Sequence, residues 1–328
     1  MQAAFYERTG PAREVLQLAE WPDPEPGPGE VRVRVRCSGV NPSDVKSRAG
    51  LRSKSLPFAR IVPHSDGMGV VDALGEGVDR ARLGERVWTW NAAWGRPFGT
   101  AAQYVCLPQA QAVALPAAAS DAAGACLGIP ALTALHALLM AGGVAGRSVL
   151  VAGAAGAVGH YAVQFARLLG ARQVLATAST AQKAESARSA GAHASFDYRD
   201  PDAAQQILAA TGGQGVERIV EVDIAANAAL DVAVVRPGGE CVVYGSGQGQ
   251  FALPFLPLIS KNVTLHFFMV YHLAAADRAR AQRLLTGYLE RGELEHVVAE
   301  RLPLGEIVRA HELVEQGRVV GNVVLDID

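Results

Sequence analysis

The sequence predicts an α/β protein in two parts, a β-rich domain and a doubly wound parallel sheet. Three observations predict it. From Met1 to about Gln111, short apolar alternations are cut by Pro and Gly, the rhythm of short strands and turns. Residues 149–170 then read as an apolar strand, a tight Gly/Ala turn and an amphipathic helix closed by Gly170. From there to Tyr271, strand-length apolar runs alternate with helical ones, which implies right-handed crossovers between parallel strands covered on both faces.

Taken in order, the turn-forming Pro24-Glu25-Pro26-Gly27-Pro28-Gly29 leads into a half-exposed strand in which Val31, Val33 and Val35 alternate with Arg32, Arg34 and Arg36. Residues 70–78 form a second strand and turn, and 84–90 open a third. After Pro116 an Ala- and Leu-rich helix is expected through roughly Met140. Residues 149–170 give the first strand–helix pair and 173–178 the second strand; a helix from about Gln182 to Ala190 leads to Ala194-Ser195-Phe196. The strand 219–222, the helix 227–234 and the strand 240–244 repeat the theme, and 263–271 close the series. Residues 277–291 read as one amphipathic helix, and 319–327 as a turn and a strand expected to pair with the first domain. No internal repeat and no low-complexity tail is present.

The 328 residues are enough for two domains with substantial cores, and half of them are apolar. Thirty basic and 32 acidic residues nearly cancel, so there is no bulk attraction to nucleic acid or to acidic membranes. The first residues lack the charged start and apolar core of a signal peptide, and no apolar run reaches membrane-spanning length. Cys37, Cys106, Cys126 and Cys241 are scattered with no C-x-x-C pair, which argues against a zinc ribbon or a redox dithiol. A soluble cytoplasmic protein is the expectation.

The turn Gly153-Ala154-Ala155-Gly156-Ala157-Val158-Gly159 carries the chemistry. Gly156 and Gly159 let backbone and helix pack closely while the first-turn amides, with Ala157 and Val158 between the glycines, face an anion. The dinucleotide fingerprint is incomplete, because Ala154 stands in its first glycine position. An NAD site usually carries a carboxylate at the end of the second strand; here Thr177-Ala178-Ser179-Thr180-Ala181-Gln182-Lys183 has none before Glu185. Hydroxyls and a lysine suit a 2′-phosphate that a carboxylate would repel, which favours NADPH. Lys183 is equally placed to be a solvated first-turn residue.

Several separated segments now fall in order: Gly39-Val40-Asn41-Pro42-Ser43-Asp44, residues 69–87 ending in Gly84-Glu85-Arg86-Val87, Gly128-Ile129-Pro130-Ala131-Leu132-Thr133-Ala134, the 153–159 turn, and Gly321-Asn322-Val323-Val324-Leu325. In these the chain resembles the zinc-independent quinone oxidoreductases, the zeta-crystallin branch of the medium-chain dehydrogenase/reductase superfamily, over nearly its whole length. The resemblance implies a Rossmann sheet, residues 126–271, inserted into a GroES-like substrate domain of residues 1–125 and 272–328, with the active site in the cleft between them. It also implies that Ser179, Lys183, Tyr198 and Arg318 contact the 2′-phosphate, that Asn227, Tyr244, Gly245 and Ser246 lie along the cofactor, and that Phe268, Met269 and Val270 lie beside the nicotinamide. Tyr198 could instead end a strand, and Tyr244 could be core. Residues 263–271 resemble the strand through which relatives extend their sheets across a dimer, so a homodimer is expected.

The zinc-dependent relatives hold their metal with a cysteine where this chain has Asn41 and with a His-Glu pair where it has Ser65 and Asp66; His64 is one place out of register. Only Asp66 survives as a donor, and the four-cysteine structural zinc lobe is absent, so no metal is expected. Without a Lewis acid, the chemistry that remains easy is hydride delivery to an electron-poor small molecule, a quinone or the β-carbon of an enone or 2-alkenal. Asn41 is the candidate for the acceptor carbonyl, or simply an Asn-Pro turn residue. Thr133 orients the nicotinamide or bonds a backbone carbonyl. Arg52, where the family often has an aromatic contact nearby, suits an anionic acceptor or a solvated loop. Trp88, Trp90 and Trp94 could wall the cleft or pack the β core. The expectation is an NADPH:quinone oxidoreductase; an enone or enoyl reductase, and a catalytically silent NADPH-binding protein, are the alternatives, and the physiological acceptor is not legible.

Overall fold

Apolar and polar residues alternate along residues 30–36, and the strand that results, continuing to Val40, is the spine of the first of two units. The computed structural model describes residues 1–327. One unit comprises residues 1–129 and 285 onward, the other 130–284. The first unit supplies β1 (Gln2–Phe5), β2 (Gln17–Glu20), β3 (Glu30–Val40), β4 (Asp66–Leu74), β5 (Arg86–Thr89), β6 (Tyr104–Pro108) and β7 (Ala112–Ala114). The second supplies β8 (Ser148–Val151), β9 (Gln173–Ala178), β10 (Ala194–Asp197), β11 (Val216–Glu221), β12 (Val235–Val243) and β13 (Thr264–Phe267); β14 (Val298–Pro303) and β15 (Asn322–Asp326) return to the first.

In the first unit the order is β14-β15-β3-β4-β5-β7, with β6 also paired to β3. All these pairings are antiparallel except β14 with β15. The period-2 pattern of β3 is realised: Val31, Val33 and Val35 are buried while Arg34 and Arg36 are exposed. Arg32 is half-buried because Asp72 across the sheet accepts from its Nε at 3.0 Å and it lies over the Tyr104 ring. The chain's last strand, β15, pairs antiparallel with β3 from Val323↔Val40 to Asp326↔Cys37, and its Val323 and Leu325 join the core of this unit. Trp88 is fully buried in β5, so the core accounts for it.

In the second unit the order is β10-β9-β8-β11-β12-β13, every pair parallel, the 3-2-1-4-5-6 arrangement of a Rossmann sheet. Strand order reverses beside β8, so the switch point falls at the C-terminal end of the strand that enters the glycine turn. Leu150, Leu175, Ile207, Ile219 and Val243 fill the core of this sheet. Among the described residues no helix is long and apolar enough to cross a membrane.

Three local readings change. The single helix expected after Pro116 is a short helix Asp121–Gly124, a π-helical turn Leu127–Ala131 and a helix Leu132–Leu139. Pro130 is the cause, since it lacks an N–H and its ring crowds the preceding turn. The strand expected over 263–271 is confined to β13, followed by a 3₁₀ turn Val270–His272. The helix Pro42–Arg48, unread in the sequence, starts at Asn41, with Pro42 in the position where a missing N–H costs least.

Candidate active site

The glycine turn follows β8 and opens the helix Ala157–Leu168. Its left-handed residue is Gly153, φ 63°, so the strained position lies one place before Ala154, and an alanine there meets no penalty. The Gly153 N–H donates to Thr177 Oγ1 at 3.1 Å and the Ala154 N–H to the Thr177 carbonyl at 3.1 Å, tying the turn to β9. At Gly159 a Cβ would stand 2.4 Å from the Gly153 carbonyl oxygen and 2.7 Å from Ala154 Cα, so only glycine lets the helix begin this close to the turn. The cap Gly156 carries no side chain over the first-turn N–H groups of Ala157, Val158 and Gly159. Those donors and the positive helix end form a cradle that fits a pyrophosphate.

At the end of β9, Ser179 is half-buried, and Thr180 caps the helix Ala181–Ser189 by accepting the Lys183 N–H at 3.2 Å. Tyr198 is exposed at the neighbouring end of β10. Beside it stands Arg199, which the sequence reading passed over. Its Nη2 donates to the Ser179 carbonyl oxygen, and its Nε and Nη2 reach the two Asp197 oxygens at 2.9 and 2.7 Å. The Arg199 guanidinium holds the Asp197 carboxyl down to about 2. Ser179 and Arg199 are thus brought together, with Lys183 and Tyr198 on the flanking elements. Arg318 is exposed in the first unit, after the helix Ile307–Gln316. The adjacency Tyr198-Arg199 was the available signal.

Along the ends of β11 and β12 the expected cofactor residues divide. Asn227 turns its amide inward, donating to Glu221 Oε1 at 2.9 Å. The half-buried Tyr244 has its phenol pushed up by burial and by the Glu221 carboxyl. A Cβ on Gly245 would lie 2.2 Å from the Val222 carbonyl oxygen, which requires glycine, and Ser246 donates to the Gln248 carbonyl at 2.7 Å. Phe268 packs edge-on against His136, ring centroids 4.7 Å apart; Met269 is exposed and Val270 buried. Thr133 is buried one turn before His136 on the helix Leu132–Leu139, whose C-terminal carbonyls are gathered by the fully buried Arg218, to Ala137 at 2.8 Å and Met140 at 3.2 Å.

In the first unit Asn41 is both a helix cap and one half of a buried pair. Its backbone N–H donates to Asp44 Oδ2 at 2.9 Å, within a capping box, and its Nδ2 donates to Asp66 Oδ2 at 2.9 Å. Asp66 Oδ2 also accepts the Ile129 N–H at 2.9 Å, while its Oδ1 is buried without a partner. Burial pushes the Asp66 carboxyl well above the usual carboxylate range, and the charge of Asp44 adds to this against the Ile129 and Asn41 donors. Burial likewise carries Asp44 up to about 7. Arg52 is exposed in the loop after this helix, and its charge works against the rise at Asp44.

His64, with φ 76°, runs away from this pair into a chain of hydrogen bonds. Thr100 Oγ1 donates to the Asp66 carbonyl at 2.6 Å, Ser38 Oγ lies 2.8 Å from Thr100 Oγ1 and 2.9 Å from His64 Nδ1, and His64 Nε2 lies 2.9 Å from His311 Nε2. Each hydroxyl has one proton, so Thr100 spends its own on the carbonyl, Ser38 donates to Thr100, and His64 donates from Nδ1 to Ser38. His311 therefore donates from Nε2, and its Nδ1 is left buried without a partner.

These positions do not fit a catalytic zinc. Such a metal takes three converging nitrogen, sulfur or carboxylate donors. Asn41 and Ser65 offer an amide and a hydroxyl, Asp66 Oδ2 is engaged by two N–H groups, and His64 faces Ser38 and His311. Among the described residues no three His, Cys, Asp or Glu side chains gather as a metal-binding group.

Residues 27–117 match the alcohol dehydrogenase GroES-like domain, and residues 157–286 match the zinc-binding dehydrogenase family. The chain is 30% identical over 289 residues to the human quinone oxidoreductase, covering 88% of this chain and 86% of that protein. A solved structure described as an NAD-dependent alcohol dehydrogenase superposes with a TM-score of 0.93 at 31% identity, covering 100% of each chain. The Escherichia coli quinone oxidoreductase complexed with NADPH superposes with a TM-score of 0.88 at 26% identity, covering 99% of this chain and 100% of that one.

Proposed function

We propose that this chain, which belongs to the quinone oxidoreductase family of the medium-chain dehydrogenase/reductase superfamily, transfers hydride from NADPH to a quinone or a similarly electron-poor acceptor without zinc. The observation that carries this reading is the replacement of a metal-binding set by the Asn41–Asp66 hydrogen-bonded pair, 2.9 Å across, in a chain whose second unit keeps a dinucleotide cradle.

NADPH, when bound, supplies the hydride. The amides of Ala157, Val158 and Gly159 hold its pyrophosphate. Ser179, Lys183, Tyr198 and Arg318, joined by Arg199, take the 2′-phosphate; the charge of Asp197 is offset by Arg199. Asn227, Tyr244, Gly245 and Ser246 line the cofactor, and Phe268, Met269, Val270 and Thr133 set the nicotinamide face. Asn41 donates an N–H to the acceptor carbonyl, whose oxygen gains negative charge as hydride arrives. Arg52 adds a positive charge for an anionic acceptor. An enone or 2-alkenal would develop the same oxyanion, so the same residues serve it.

A homodimer through β13 completes the proposal. β13 ends its sheet with one edge unpaired, Phe267 is exposed on it, and Phe255, Leu256 and Ile259 are exposed on the preceding helix. Light scattering giving twice the chain mass supports this; a monomer at micromolar concentration contradicts it.

The test of function is NADPH oxidation against a panel of quinones, enones, 2-alkenals and, in the reverse direction with NADP, primary alcohols. Turnover on quinones that persists through exhaustive chelation is expected. Activity confined to alcohols and abolished by chelation would overturn the reading.

A further inference from the structure

We infer that Asp66 is a positioning residue: it fixes the Asn41 amide so that a single N–H is offered, and so selects acceptors that present a carbonyl oxygen. The inference rests on Asn41 being the acceptor contact proposed above.

An asparagine side chain has an acceptor end and a donor end of nearly the same shape, and in water it turns end for end freely. Here both ends are constrained. A capping asparagine directs its carbonyl oxygen at the first-turn amides of its helix, which leaves the NH₂ outward. That NH₂ meets Asp66 Oδ2, which also receives the Ile129 N–H, each at 2.9 Å. One hydrogen on Nδ2 is spent on Asp66 Oδ2, and for the other the acceptor competes with the Asp44 carboxyl, which also interacts with this amide.

Asp66 is itself immobile. It is fully buried at the start of β4, its backbone carbonyl accepts from Thr100, and Gly128 presses on it so closely that a Cβ there would stand 2.2 Å from Oδ1. The neighbour without a side chain is the reason the carboxyl can sit flat against the π-helical turn with Oδ2 facing Asn41. What the acceptor meets is therefore one directed N–H, suited to an oxygen that becomes anionic and unsuited to a hydroxyl that must give up its own proton.

The experiment compares Asn41→Ala, Asp66→Asn, Asp66→Ala and the double variant Asn41→Ala/Asp66→Ala, reading kcat and KM for a benzoquinone and the Kd for NADPH. Asp66→Asn retains an amide oxygen at the Oδ2 position and is expected to keep kcat within about fivefold of the parent, whereas Asn41→Ala and Asp66→Ala each lower it on the order of 100-fold. NADPH Kd stays within about twofold throughout, and the double variant is no slower than Asn41→Ala alone, since the two residues act through one N–H. Losses that multiply in the double variant would overturn the positioning role. So would an Asp66→Asn enzyme as slow as Asn41→Ala, an outcome that decides the matter even where Asp66→Ala does not fold. Full turnover by Asn41→Ala would sink the acceptor contact itself, a failure distinct from these two.

Discussion

His64 and His311 meet Nε2 to Nε2 at 2.9 Å, with both rings fully buried in the first unit. Burial pushes the His64 imidazole down to about 3 and His311 well below its usual range, the latter also opposed by His64 and by Arg48. Both are neutral in the folded protein at pH 7, while in the unfolded chain they take up protons near pH 6.5. The unfolded state then binds more protons between these values. Stability falls as the pH drops below about 6.5 towards 3, by on the order of 2 kcal/mol at pH 5 for His64, and His311 acts in the same direction.

The measurement is the denaturation free energy at pH 7 and pH 5 for the parent and for His64→Gly. Glycine also relieves the left-handed backbone at this position, φ 76°. The variant should lose less stability on acidification than the parent. Asp44, raised to about 7, works in the opposite direction over much of this range, but both proteins carry it. Equal losses would show that the pair does not couple to folding.

Gly159→Ala should weaken NADPH binding at least tenfold. The added Cβ would stand 2.4 Å from the Gly153 carbonyl oxygen, a backbone atom, so the turn itself has to open and the first-turn amides move. Fluorescence titration with NADPH reads this, and an unchanged Kd would refute the cradle.

Lys183→Ala and Arg199→Ala should each raise the NADPH Kd roughly tenfold, the worth of one charge-assisted contact to a phosphate, and leave the NADH Kd within about twofold. Parallel titrations with both cofactors decide it. Equal effects on the two would remove these residues from the 2′-phosphate site.

Arg218→Met should destabilise the protein by about 3 kcal/mol. It removes the donors to the Ala137 and Met140 carbonyls and the buried one of the two cations that Glu240 faces, leaving it only Arg147 at 3.3 Å. Urea denaturation should show a lower midpoint with an unchanged slope.

How much of this was legible in the sequence differs between the two units. The parallel sheet announces itself, because strand-length apolar runs alternating with helical ones have few other readings and right-handed connections cover both faces, whereas the strand order is seen only in the fold. The β-rich unit showed Val31, Val33 and Val35 by period 2, and its closing strand by the apolar run at Val323-Val324-Leu325. Long-range pairing was out of reach there: that His64 meets His311, 247 positions away, has no local signature. The 122–139 region misled because helix propensity outweighs a lone proline in a pattern, whereas in the fold Pro130 forces a π-helical turn. At the site, Ala154 read as a defect in the fingerprint, since the left-handed conformation it would have violated belongs to Gly153. Arg199 was missed because an exposed arginine beside an aspartate looks like an ordinary surface pair until the Ser179 carbonyl is found under it.

The most direct test of the account is kcat/KM for NADPH and for NADH with a benzoquinone acceptor, on protein whose zinc content is measured before and after exhaustive chelation. Turnover that favours NADPH by at least tenfold and is unchanged in protein with substoichiometric zinc is the expected result. A preference for NADH, or activity that rises and falls with one bound zinc per chain, would contradict it.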